Sequence, residues 1–214
     1  MLVLLKYTKQ KQRRRTFMQA DIYDFDKTVL PFDSGSKFAV FCFLNYPYLL
    51  LLLPFYIVDA LLFALHIIKL DKFKKHIFCF IRFIDLDKAV KKFWDKYEKK
   101  IFPWFLKENR ERASIVISAS PDFLLEEIQK RLGFEYLLCT RHDGKTGTLL
   151  YKNCRNEEKV RRFYEKFGED KIEVMCVYSD SLKNDKPIFS LGKRCFHIMP
   201  DGERKEFDFN EIYR

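Results

Sequence analysis

The chain has 214 residues, 48% hydrophobic and 17% aromatic, which excludes a disordered protein and leaves room for one sizeable domain with an insertion. Forty basic against 30 acidic residues give a formal charge of +10, so an anionic partner is expected; the basic residues cluster at 11–15 and from 69 to 100, around the most apolar part of the chain, which favours a membrane surface over nucleic acid. Six cysteines without a C-x-x-C pair, and four scattered histidines, make no zinc pattern and point to a reducing compartment.

Residues 1–17 join an apolar pentad to a basic tract, too short in its apolar part for a secretory signal, and are read as an extension with Met18 as an alternative start. Strand character follows at 20–23, 114–117, 136–139, 174–178 and 194–198. Between these runs, 121–132 and 156–167 have apolar positions three and four apart, with Gly133 and Gly168 where helix C-caps belong. Residues 143–148 read as a turn joining two short strands, a small hairpin beside the main sheet. Strands alternating with helices predict an α/β fold with a doubly wound, mostly parallel sheet.

About ninety residues separate the first strand from the second, far more than a crossover needs, so an inserted domain is expected. We divide the chain into a core of 18–34 and 111–214 and an all-helical cap at 35–110 over the active site. From Phe38 to Leu70 that cap is almost continuously apolar. One transmembrane span would put the two halves of the core on opposite sides of a bilayer, and two spans need more apolar residues than this stretch supplies. The expectation is therefore a pair of short helices, broken near Pro54, dipping into one leaflet, with a wholly buried cap core as the alternative.

The chemistry gathers at strand ends. The first strand runs into Asp24 and Asp26, which share a face because i and i+2 point the same way, and two carboxylates there need a cation. The second runs into Ser118-Ala119-Ser120-Pro121, the last two standing where the next helix begins; the fourth runs into Asp180, with Asp185 five residues on. Lys159 lies on the first turns of the helix predicted at 156–167. In an open parallel sheet ligands bind beyond the carboxyl ends of the strands, so these groups belong to one site.

Asp24-x-Asp26-x-Thr28, Ser118-Ala119-Ser120-Pro121, Cys154-x-x-x-x-Lys159 and Ser179-Asp180-Ser181, in this order, resemble the four motifs of haloacid dehalogenase superfamily phosphatases with a helical cap, similar to phosphoserine phosphatase. The wording of the last three looks closest to the membrane-associated branch that includes a phosphatidylglycerophosphate phosphatase. The resemblance implies Mg²⁺ as cofactor, held by the Asp24 carboxylate, the Asp26 main-chain carbonyl, Asp180 and Asp185. It implies Asp24 as the nucleophile that becomes an aspartyl phosphate, Asp26 as general acid and base, Lys159 as charge stabiliser, and Ser118, Ala119 and Lys159 as phosphate-binding groups. Asp26 is then expected to hold its proton more tightly than Asp24. Many relatives place the last acid where this chain has Asn184. The expected activity is hydrolysis of a phosphomonoester, lipid-borne and phosphatidylglycerophosphate-like, by a peripheral or monotopic enzyme on the cytoplasmic side of a membrane. The alternatives are a soluble small-metabolite phosphatase and a catalytically silent membrane adaptor; nothing structural would require the acids, Ser118 and Lys159 together in the last of these.

Overall fold

The computed structural model describes residues 18–68, 76–168 and 172–213; the extension 1–17 and the lysines at 69, 72, 74 and 75 lie outside the described residues. Strands β1 (Met18–Tyr23), β2 (Ala113–Pro121), β3 (Tyr136–Thr140), β4 (Ile172–Ser179) and β5 (Arg194–Ile198) run parallel, and β6 (Arg204–Phe207) pairs antiparallel with β5, in the order β3-β2-β1-β4-β5-β6. All five expected strands are present, each within two residues of its expected start. The sixth, Arg-Lys-Glu-Phe, is mostly exposed and carries no apolar alternation, so its sequence does not announce a strand.

Period-two alternation splits the core in two. Ala20, Ile22, Ile115 and Ile117 face one side with Phe163, Phe167, Ile188 and Phe189, whereas Tyr23, Val116 and Tyr178 face the other. The insertion supplies α1 (Ser34–Asn45), a 3₁₀ stretch at Pro47–Leu52, α2 (Leu53–Ala64) and α3 (Leu86–Tyr97); the core supplies α4 (Asp122–Leu132), α5 (Glu157–Phe167), the single turn α6 (Lys186–Phe189) and a last turn α7 (Phe209–Ile212). α4 ends on Gly133, whose φ of +64° makes the left-handed cap that glycine adopts without strain.

α3 shows how the insertion is fastened. Asp85 caps it by accepting from the Lys88 amide (3.1 Å), and Ala89, Val90, Phe93 and Trp94 form its buried stripe. Trp94 Nε1 donates to the Leu124 carbonyl of α4 at 2.8 Å. Phe38, Phe80, Phe93 and Trp94 then belong to the same apolar cluster as Val116, Leu124 and Ile128, so the insertion shares its core with one face of the sheet. The Pro47–Ala64 stretch joins it only through Leu49, with Leu52 and Tyr56 packed against it; 6% of the stretch is buried, which removes for it the reading as a wholly buried cap core.

The turn at 143–148 is present, but a single bridge replaces the expected strand pair, His142 facing Leu149 across it. Its loop leaves the ladder after Leu150 donates to the Arg141 carbonyl.

Candidate active site

β1 lies at the switch point, with β2 and β3 on one side and β4 and β5 on the other, so a crevice forms where β1 and β4 end. The Asp24 amide donates to the Tyr178 carbonyl (2.9 Å), which continues the β1–β4 ladder one residue past β1 and fixes Asp24 at the rim. Lys27, at φ +57°, then turns the chain back. As a result Thr28 Oγ1 donates to Asp24 Oδ2 (3.3 Å) and accepts from the Asp180 amide (3.0 Å), tying the ends of the two strands together. Phe25, between the two aspartates, rests edge-on against Trp94 with centroids 6.0 Å apart.

Four expected residues meet in one buried cluster. Lys159 Nζ lies 2.7 Å from Asp24 Oδ1 and 2.8 Å from Asp185 Oδ1, and one carboxylate oxygen each from Asp24, Asp180 and Asp185 fall within 4.8 Å of one another. Lys159 is 3% exposed, so its ammonium is held by those carboxylates and not by water. Asp185 belongs to the cluster and Asn184 does not: Asn184 donates to Ser181 Oγ (2.9 Å) and accepts from Arg155 (2.9 Å). Ser179 Oγ donates to Asp185 Oδ2 (2.5 Å), and the His197 ring donates to the Asp180 carbonyl (2.9 Å). Three hard oxygen donors around one ammonium leave net negative charge, a donor set that fits a divalent cation such as Mg²⁺.

Asp26 is held apart from this cluster. It accepts from the Ser34 amide (2.8 Å) and from Ser120 Oγ in a short hydrogen bond. Ser34 Oγ contacts Ser120 Oγ at 3.1 Å, and Ser118 Oγ accepts from the Ser120 amide at 3.1 Å. Ser118 therefore joins the site through Ser120, and Ser120 does more than begin a helix. Its only sequence signal is the S-x-S spacing, since the partner that gives it a role comes from a different strand. Ala119 lines a cavity of about 180 Å³ beside Asp26, walled by Gly35, Ala39 and Phe78 from the insertion and by His142 and Asn153 from the core. Composition offered no reason to place His142 here. Burial lowers its pKa to about 4, so it lines the cavity as a neutral ring.

Burial pushes Asp24 up to about 7, against the pull of Lys159 and with the help of Asp185; burial and the nearby Asp33 push Asp26 up to about 6, against its hydrogen bonds from Ser120 and Ser34. Lys159 is raised despite its own burial, through Asp24 and Asp185. Both aspartates are thus pushed up by burial, and for Asp24 the neighbouring Asp185 and Asp180 add to that push while Lys159 opposes it.

Residues 22–190 match the haloacid dehalogenase-like hydrolase family. The chain belongs to that family. Among relatives of this haloacid dehalogenase-like hydrolase, Protein CicA of Caulobacter vibrioides is 30% identical over 90 residues, a match that spans 40% of either chain and so well under half of that relative. A solved structure of a protein with unknown function from Bordetella pertussis superposes with a TM-score of 0.69 at 16% identity, over 84% of this chain and 89% of that one, a likeness of fold. A phosphoserine phosphohydrolase-like protein from Francisella tularensis gives a TM-score of 0.49 at 11% identity over 85% and 88%.

Proposed function

We propose that the protein is a Mg²⁺-dependent phosphomonoester hydrolase working through an aspartyl phosphate. The observation that carries this reading is the division of labour between two aspartates two residues apart: Asp24 is set between Lys159 and the Asp180–Asp185 pair, while Asp26 is bonded separately to Ser34 and Ser120. Groups held in such different surroundings take different roles.

In the first step an Asp24 oxygen attacks phosphorus, the bond from phosphorus to the leaving oxygen breaks, and that oxygen takes the Asp26 proton. In the second, Asp26 removes a proton from water, whose oxygen attacks phosphorus; inorganic phosphate leaves and Asp24 is regenerated. Lys159, fixed by two carboxylates, offsets negative charge beside Asp24 throughout. Ser118 and the amides around Ala119 are the donors assigned to the phosphoryl oxygens. Asp24, Asp180, Asp185 and the Asp26 carbonyl would hold Mg²⁺, which would supply positive charge that favours the ionised form of Asp24 over that of Asp26.

A cavity of about 180 Å³ holds a small polar leaving group, so a small soluble phosphomonoester is the first substrate class. A lipid phosphate at the cytoplasmic leaflet is a second reading, favoured by the exposed apolar surface of the insertion, with only the headgroup inside the cavity. Turnover of water-soluble phosphomonoesters against detergent-dispersed phospholipid monoesters separates the two. Asp24→Asn is expected to lower hydrolysis of p-nitrophenyl phosphate by at least ~10³-fold, equivalent to about 4 kcal/mol of transition-state stabilisation. It should also abolish the beryllofluoride adduct; a variant that keeps both the activity and the adduct removes the nucleophile assignment.

A further inference from the structure

The insertion exposes many large apolar side chains between residues 44 and 67. Leu51 is 83% exposed, Leu44 76% and Leu65 67%, with Val58, Leu61 and Ile67 beside them in sequence. Monomeric soluble proteins rarely leave so many large aliphatic side chains together in water, so something covers this face.

Connectivity settles how a bilayer would meet it. β1 and β2 flank the insertion and are hydrogen-bonded neighbours, so the chain that leaves the sheet must return to the same side. Among the described residues Pro47–Ala64 is the one stretch long and apolar enough to cross, and a single crossing cannot bring the chain back. The stretch is also tied to the rest of the insertion in its first half. Tyr48 Oη donates to the Phe83 carbonyl (2.9 Å) and Tyr56 Oη to the Ile77 carbonyl (3.3 Å), while Phe80 and Ile81 between those carbonyls are buried in the shared core. The start of the helix is thereby fixed against the Ile77–Phe83 segment of the insertion.

Charge decides between a lipid surface and a second copy of the chain. Lys37 precedes Val40 and Leu44 at i+3 and i+7 on one flank of α1, and Arg82 adjoins Phe83, itself 51% exposed. Four of the seven residues that follow Ile68 in the sequence are lysines. A two-fold contact through this face would bring basic margins of like charge together, whereas an anionic leaflet complements them.

We propose that residues 44–67 form an in-plane anchor: their exposed apolar side chains sink into the boundary between headgroups and acyl chains of one anionic leaflet, Lys37 and Arg82 stand at headgroup level, and the sheet stays in water. Ile77, which binds Tyr56 of the anchor through its carbonyl, also lines the cavity beside Asp26, so docking sets the site next to the lipid surface. This anchor stands independently of the reaction assigned to Asp24.

The test is co-sedimentation of the full chain with vesicles of phosphatidylcholine alone and of phosphatidylcholine containing a quarter phosphatidylglycerol. Binding to the anionic vesicles is expected, with at least about tenfold weaker binding for the triple variant Leu51→Gln, Val58→Gln, Leu61→Gln. Hydrolysis of p-nitrophenyl phosphate by that variant should be unchanged, since none of the three residues is near the acids; a fold gone wrong would lose both. A Leu51→Trp probe should shift to the blue on binding and be quenched by brominated acyl chains. Failure to sediment with anionic vesicles overturns the anchor, as does equal binding to neutral ones. A stable dimer in light scattering that the triple variant dissociates assigns the face to a second copy and overturns it too.

Discussion

Ser120 governs how tightly Asp26 holds its proton. Its hydroxyl donates to the Asp26 carboxylate, and a donor to the ionised form lowers a pKa that burial and Asp33 otherwise raise. In Ser120→Ala that donor is gone, so the Asp26 pKa should climb above about 6, and the limb of the pH–kcat profile that Asp26 controls should move to higher pH. We expect kcat to fall about tenfold as the carboxyl loses its orientation. A profile that stays in place would show that Ser120 merely fills space. The aspartates, Ser118 and Lys159 could be read from sequence because each sits at a recognisable offset within its own motif. The roles of Ser120, Thr28 and Ser34 could not be read, although the first two stand within those motifs, because they come from partners elsewhere in the chain: Asp26 for Ser120 and Ser34, and the Asp180 amide for Thr28.

The loop after β3 shows the same limit one level up. Its turn was legible: Asp143 Oδ1 accepts from the amides of Lys145 (2.8 Å) and Thr146 (2.9 Å), and Gly147 takes the positive φ. Where the turn goes was not legible. It presses on the insertion so closely that a Cβ on Gly147 would lie 2.0 Å from the Phe78 carbonyl oxygen, backbone against backbone. Gly147→Ala should therefore cost at least about 2 kcal/mol in urea unfolding, from steric conflict and a strained φ together. Gly144→Ala, with nothing within 4 Å of its added methyl, should be nearly neutral and serves as the control. Because Phe78 also walls the cavity, the Gly147 variant should lose kcat/KM while folded. Equal stability of the two variants would remove the close contact. Apolar content likewise marked the insertion as helical and the run from Phe38 to Leu70 as one that meets a membrane surface, while the amphipathic stripe of α3 gave no sign that it would fasten the insertion to α4.

For the molecule as a whole, the acidic cluster sets a conflict between stability and catalysis. Asp24 and Asp26 bind protons more tightly when folded, at about 7 and about 6, than at the usual 3.8 of an unfolded chain. Their stabilising contribution is then complete below about pH 4 and is lost as pH rises through 6 and 7. In the metal-free protein Tm should fall between about pH 5 and about pH 8, and Mg²⁺ should restore more at the upper end, where the carboxylates are ionised. Asp180→Asn should raise the metal-free Tm by roughly 2–4 °C and erase the Mg²⁺ gain, as thermal shift at the two pH values will show. A Tm that responds to Mg²⁺ equally in the variant would place the cation elsewhere. At this scale the alternation of strands and helices was enough to give the doubly wound sheet, because each crossover is a local pattern. That the insertion has its apolar cluster in common with the sheet could not be read, since the link is made by side chains far apart in sequence, Trp94 reaching Leu124 and Phe25. Such a clasp makes the insertion a poor candidate for modular exchange. Grafting the corresponding helices from a homologue would unseat Phe25 and with it the loop that carries both aspartates, so new substrate preferences in this lineage should arise by single replacements along the cavity wall and not by recombination.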